Sequence, residues 1–111
     1  VKDKSLEFAV RIVNLYKFLV NEQKEFVMSK QILRSGTSIG ANIREAEQAQ
    51  SRADFINKLN IALKEANETE YWLELLIRTE YITREQYESI NNDSTEINKL
   101  LISIIKTTKN Y

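Results

Sequence analysis

The sequence predicts an all-α fold, an up-down-up-down antiparallel four-helix bundle. Three observations carry this. Proline is absent and only two glycines occur in 111 residues, whereas sheet-rich folds need turn residues at each corner. Four stretches repeat apolar residues at three- and four-residue spacing. The polar breaks between them are too short for long crossovers, so consecutive helices lie antiparallel. A chain of this length forms one domain, read over residues 1–111, and can bury a core of its own.

The first helix is expected from about Ser5 to Val20. Phe8, Ile12, Leu15 and Leu19 make its stripe, widened by Val13, Tyr16 and Val20. Asn21-Glu-Gln-Lys24 is the first break. Phe26 leads into the second helix, with Ser29 as its expected N-cap. The second stripe is Ile32, Gly36, Ile39, Ile43, Ala46 and Gln50. Ser51-Arg-Ala-Asp54 reads as a variant capping box opening the third helix, or as a tight bend. The third stripe is Phe55, Leu59, Ala62, Ala66, Thr69, Leu73 and Leu76; Ile56, Leu63, Trp72 and Leu75 extend its apolar surface. Thr83-Arg-Glu-Gln86 is a full capping box for the fourth helix. There Tyr87, Ile90, Ser94, Ile97, Leu101, Ile104 and Thr108 repeat, and Asn91-Asn-Asp-Ser94 marks a point where the helix is expected to bend or break.

Composition excludes several chemistries. Histidine and cysteine are both absent, which removes the usual general base, the strongest nucleophile and thiolate metal sites. Di-iron bundles use Glu-x-x-His pairs, so no such centre is expected. Both glycines lie in one helix, leaving no Walker-type loop or dinucleotide fingerprint. No cofactor is expected. The polar start, Val1-Lys-Asp-Lys-Ser5, has no apolar signal region and no methionine, which suggests a trimmed N-terminus and a cytoplasmic protein. No apolar run approaches the ~20 residues needed to span a bilayer. Sixteen basic residues balance sixteen acidic ones, but unevenly: residues 1–34 carry +3 and residues 35–80 carry −3. The whole chain lacks a strongly basic nucleic-acid footprint.

The segment Arg34-Ser-Gly-Thr-Ser-Ile-Gly-Ala-Asn-Ile-Arg-Glu-Ala46, followed by Asp54-Phe-Ile-Asn-Lys-Leu-Asn-Ile-Ala-Leu-Lys-Glu-Ala-Asn-Glu-Thr-Glu-Tyr-Trp-Leu73, resembles the bacterial four helix bundle protein family. This is also the ribosomal-RNA intervening-sequence protein family, some of whose members are encoded in insertions within large-subunit ribosomal RNA genes. The resemblance covers nearly the whole chain. It implies a four-helix bundle that assembles as a homopentamer. A distant relative is the accessory protein of diversity-generating retroelements, a basic pentamer that works with a reverse transcriptase and its template RNA. The present chain is neutral instead. The resemblance implies no settled molecular function.

Two residue groups are candidate sites. Gly36 and Gly40, with Ile39, Ile43 and Trp72, are candidates for helix packing or a subunit interface. Glycine within a helix costs roughly 1 kcal/mol relative to alanine, so a pair on one face calls for close approach of another helix. That helix is either the third helix of the same chain or one from a second subunit. The polar set Arg34, Asn42, Glu45, Lys58, Glu65 and Glu68 occupies the recognisable polar letters of the family motif. Glu65 and Glu68 share a helix face, and Arg34 or Lys58 paired with either would fix helix register. A partner-binding surface and a catalytic carboxylate pair are the alternatives; the last needs a raised pKa in a pocket. Tyr71, Trp72 and Tyr81, with Arg78 and Arg84 nearby, could stack on bases, but Trp72 falls on an apolar face and reads as core or interface. Lys2, Lys4, Arg11 and Lys17 read as a solvated face. The sequence therefore points to a non-enzymatic bundle that assembles with itself and serves as a scaffold or partner-binding protein. An RNA-binding accessory factor, linked to ribosomal RNA insertions or a reverse transcriptase, is the alternative.

Overall fold

Each polar break becomes a helix boundary. The computed structural model describes residues 1–110, and Tyr111 lies outside the described residues. The order is α1 (Lys2–Asn21), α2 (Met28–Ala46), α3 (Arg52–Arg78) and α4 (Arg84–Lys109). α1 packs on α2, α2 on α3 and α3 on α4, while α1 and α4 meet along a thinner seam. The bundle measures 47 × 21 × 19 Å. Its alternating direction shows at both ends. Lys2 of α1 reaches Glu47 at the end of α2 at 3.4 Å, and Gln23, after α1, donates to the Tyr81 carbonyl after α3 at 2.9 Å.

The expected stripes supply most of the core. Phe8, Ile12, Leu15 and Leu19 of α1 face Ile32, Ile39 and Ile43 of α2, with Leu59, Ala62, Ala66, Leu73 and Leu76 of α3 opposite Ile90, Ile97 and Leu101 of α4. Burying each large aliphatic or aromatic side chain contributes about 1.5–3 kcal/mol. Five stripe positions differ, among them Tyr87 and Thr108 of α4, which are half-buried. Gln50 lies beyond the end of α2 and is exposed. Phe55 is half-buried. After Leu101 the next buried residue of α4 is Ile105, and Ile104 is half-buried, because a four-residue step from Leu101 keeps to the core face of a 3.6-residue helix.

The caps also depart from expectation at one helix. Ser29 does not cap α2. The Glu25 carboxylate does, accepting from the backbone N–H groups of Val27 (3.2 Å), Met28 (3.0 Å) and Ser29 (2.7 Å). Its longer side chain reaches three of the donors that a helix start leaves without intrahelical partners, and Ser29 Oγ donates back to the Glu25 carbonyl at 2.9 Å. For α3, Ser51 Oγ accepts from Asp54 N–H at 3.0 Å, while the Asp54 carboxylate accepts from Gln50 N–H, one residue earlier than in a standard box. Thr83 and Gln86 make the full reciprocal box at α4. Two exits use the left-handed region without glycine: Lys24 at φ 54° and Glu80 at φ 66°. After α3, Tyr81 N–H reaches the Leu76 carbonyl and Glu80 N–H the Ile77 carbonyl, the bond pair of a Schellman turn.

α4 does not break at Asn91–Ser94. Ser94 is fully buried and donates to the Glu70 carboxylate of α3 at 3.2 Å, beside a 3.0 Å bond from Asn98 to the same oxygen. The polar run thus becomes a crosslink. Lys4 and Arg11 are likewise not merely solvated. Lys4 pairs with Glu96 at 2.7 Å, and Arg11 donates to Asp93 (2.6 Å) and to the Ser89 hydroxyl (2.8 Å). These contacts clamp the α1–α4 seam.

The glycines face α1, not α3. A Cβ on Gly36 would lie 2.8 Å from both γ carbons of Ile12; one on Gly40 would lie 3.3 Å from Ser5 Oγ and 3.5 Å from the Ser5 carbonyl oxygen. Ile12 is fully buried and branched at Cβ, so it has little room to yield. Gly36→Ala is expected to lower stability by about 1–2 kcal/mol, overpacking outweighing alanine's helix preference. Gly40→Ala, which meets a rotatable hydroxyl, is expected to stay within about 1 kcal/mol of neutral, because propensity offsets the contact. Chemical denaturation of both variants checks this, and a Gly36→Ala protein more stable than wild type would refute the close approach.

Candidate functional site

The densest polar grouping lies across the outer edge of the α2–α3 seam. Arg34, midway along α2, donates through Nη1 to Glu65 Oε2 at 3.2 Å and through Nη2 to Glu68 Oε2. One turn on, the Trp72 indole N–H donates to the same Glu68 oxygen at 3.1 Å, and its ring meets Tyr71 edge-on at 5.1 Å. Beneath, Thr69 donates to the Glu65 carbonyl (2.8 Å), and its hydroxyl is hydrogen-bonded with Ser35 Oγ at 3.0 Å. The i, i+3 spacing of Glu65 and Glu68 lets both carboxylates reach one guanidinium, while Trp72 at i+4 holds the second from behind.

The six predicted polar residues do not form one network. Arg34, Glu65 and Glu68 come together. Lys58 pairs with Glu45 at 3.6 Å rather than with Glu65, because Glu45 lies across the seam near the start of α3. Asn42 donates to the Ser38 carbonyl of its own helix at 2.8 Å. Of the packing set, Gly36, Ile39 and Ile43 are buried, and Gly40 and Trp72 half-buried.

The electrostatics hold these groups charged. The Trp72 indole N–H, then Arg34, keep Glu68 below the usual carboxylate range, and Glu68 in turn raises the Arg34 guanidinium. At Glu25, burial pushes the carboxyl up, but the backbone N–H groups of Met28, Ser29 and Val27 outweigh it and leave the pKa lowered. A general acid needs the opposite shift. Among the described residues no group of three or more Asp or Glu could hold a metal ion.

Several open grooves flank the core, two of them beside α4. One of about 290 Å³ lies between α1 and α4, around Arg11, Leu15, Phe18 and Ile90. Another of about 260 Å³ lies between α3 and α4, around Asn60, Leu63, Ile102, Lys106 and Lys109. The large apolar side chains most exposed are Leu6 and Val10 of α1, Phe26 and Val27 before α2, Tyr71 of α3 and Ile102 of α4. The extra apolar surface expected on the third helix is partly taken up by the chain itself. Ile56, Leu63 and Trp72 pack partly onto their own core, and α2 carries none of the exposed group. Leu6 and Val10 escaped the sequence reading, although their i, i+4 spacing off the main stripe of α1 was a signal for them. Glu25 gave no such signal, since its capping role depends on the chain turning back at Lys24.

The sequence profile of the 23S rRNA-intervening sequence proteins matches residues 1–103. The chain belongs to this family. A solved structure from Bacteroides thetaiotaomicron VPI-5482, described as a protein with unknown function from the S23 ribosomal protein family, is similar to it. The identity is 98%, the TM-score 0.91, and the match covers 94% of this chain and 90% of that one. Among curated proteins, none matches.

In this intervening-sequence protein, the two lowered carboxylates give acid-sensitive stability. A group whose pKa is lower in the folded state stabilises the fold above its unfolded value, and that contribution is lost as pH falls through the folded value. Glu25→Ala is therefore expected to lose about 1–2 kcal/mol at neutral pH and to approach wild type below pH ~4. Denaturation at a series of pH values tests this; a deficit constant down to acid would show that lost packing, not charge, is responsible.

At the seam, Arg34→Met in double-mutant cycles with Glu68→Gln and with Glu65→Gln is expected to give coupling of about 0.5–1 kcal/mol, larger for Glu68. Half the Arg34 side chain is exposed, which keeps such pairs weak. Lys58→Met with Glu65→Gln should couple near zero. Strong Lys58–Glu65 coupling would overturn the assigned pairing.

Proposed function

We propose that this chain is a non-enzymatic, self-assembling helical bundle that acts as a scaffold or partner-binding protein. Exposed apolar residues on the outer helix faces carry the reading: Leu6 is 50% exposed, Val10 54% and Ile102 53%. Leu6 and Val10, one turn apart on α1, make an apolar pair that suits contact with another protein surface. The charged cluster supports a structural role over a catalytic one, because its carboxylate is tied to Arg34 and Trp72 and held ionised. Five subunits are favoured by the family resemblance. No helix among the described residues is long and apolar enough to cross a membrane. A cytoplasmic location suits a chain without cysteine.

The rival reading is an RNA-binding accessory factor, suggested by a family described by its 23S rRNA intervening sequence. It has less support in α1, where Lys4 and Arg11 are engaged by Glu96 and Asp93. Light scattering at micromolar concentration is expected to return about five times the 13.0 kDa chain mass. A monomer mass would overturn the assembly reading, and another multiple would overturn only the number five. Tight, salt-sensitive binding of structured RNA would shift the weight to the rival, since phosphate contacts release counterions.

A further inference from the structure

Lysines gather along one groove where this chain has no carboxylate to pair with them. Lys99, Ile102, Lys106 and Lys109 follow one another on α4 at three-, four- and three-residue steps, and all four are exposed. Ile102, Lys106 and Lys109 line the groove of about 260 Å³ with Asn60 and Leu63 of α3, and the buried Ile105 lies at its floor. Neither wall carries an acid: none occurs between Asp54 and Glu65 of α3 or after Glu96 in the sequence. Elsewhere Lys4, Arg11 and Lys58 meet carboxylates of the facing helix. Lys99, Lys106 and Lys109 make no ion pair among the described residues.

The fold alone does not account for this pattern. Lysines in the last turn of α4 complement its dipole, which explains Lys106 and Lys109 by themselves. It explains neither Lys99, nearly three turns earlier, nor the placement of Ile102 between the lysines at 53% exposure. The groove has an apolar floor and a basic rim.

Shape and sign together select an occupant. α3 and α4 run antiparallel, so the groove follows the bundle axis, and the row from Lys99 to Lys109 extends about 15 Å. The walls are helices whose backbone groups are already bonded within them, so an extended peptide finds no free strand edge to join. Side-chain contact is what the groove offers: a floor for anchors one helical turn apart and a rim for carboxylates beside them. A helix laid along the groove meets both. A nucleic acid would use the lysines and not the floor, because no lining residue is aromatic and bases have nothing to stack on.

Resting on the partner-binding reading above, we propose that the α3–α4 groove is a docking site for an acidic amphipathic helix of another protein. Apolar side chains at i, i+3 or i+4, and i+7 of that helix cover Leu63, Ile102 and Ile105, and its Asp or Glu residues face Lys99, Lys106 and Lys109.

The test uses the full-length chain and two fluorescently labelled helical peptides of about 14 residues, long enough to follow the groove at ~1.5 Å per residue. Both carry leucine at i, i+3 and i+7; one has glutamates beside them, the other lysines. Fluorescence anisotropy should show the glutamate peptide binding, more weakly as salt rises, and the lysine peptide not binding. Lys106→Glu with Lys109→Glu should weaken the glutamate peptide about tenfold and accept the lysine peptide instead. Ile102→Ser should weaken the glutamate peptide about tenfold with its salt dependence kept. Circular dichroism checks that each variant folds, and sedimentation gives its mass. A wild type that does not bind the glutamate peptide would overturn the docking, as would either variant binding it at wild-type strength. A lysine pair with a lowered assembly mass would make the groove a subunit contact and likewise overturn it. So would a wild type that ignores the peptide but binds an RNA hairpin through these lysines. A monomeric wild type that binds the peptide would keep this inference and remove self-assembly; an assembled wild type that binds no peptide would do the reverse.

Discussion

The close approach of α1 to α2 at Gly36 is the constraint on which the bundle depends. Ile12 occupies the space that a side chain at position 36 would need. This matters because α1 has few other strong holds: its seam with α4 is thin and closed largely by exposed ionic contacts at Lys4 and Arg11. Surface pairs of this kind contribute little individually. The apolar wedge of Ile12 into the α2 backbone thus fixes how deeply α1 sits. That depth in turn sets where Phe8, Leu15 and Leu19 meet the rest of the core.

The other seams fix register by hydrogen bonding. Ser35 and Thr69 are fully buried and bonded across α2 and α3. Glu70 receives Ser94 and Asn98 across α3 and α4. A buried polar group without a partner costs about 1–3 kcal/mol, so a slip of one turn along either seam would be penalised beyond the loss of packing. Apolar stripes alone tolerate such slips, because Leu, Ile and Ala recur every three or four residues. The division is physical: glycine sets distance where α1 meets α2, and small hydroxyls and amides set register where α3 meets its neighbours.

Much of this was legible in the sequence because helical periodicity is a local property. The stripes of α1 and α3 and the caps at Ser51 and Thr83 depend on residues within a few positions of one another. What escaped depends on which parts of the chain meet in space. Nothing local says that Gly36 faces α1 instead of α3. Lys58 is spaced to reach Glu65 along its own helix, yet Glu45 across the seam lies closer to its ammonium. Glu25 looks like a loop charge until the left-handed turn at Lys24 folds it over the start of α2. The asparagine run in α4 has poor helix propensity, but Ser94 and Asn98 gain a carboxylate partner, and tertiary contact overrides the local preference. Within the candidate site the Arg34–Glu65–Glu68 grouping could be anticipated from spacing, whereas the indole of Trp72 as its fourth member could not.

The balance of sixteen basic and sixteen acidic residues bears on what such a bundle can do. A strongly charged chain repels its own copies, while a neutral one that separates its charges can attract them. Here the separation follows the helices. The first turns of α1 keep unpaired acids outward, and the end of α4 keeps unpaired lysines outward, because Lys4 and Glu96 are used up between the two helices. Had the signs been mixed on each face, the residues would have satisfied one another within the chain and left no preference for a neighbour.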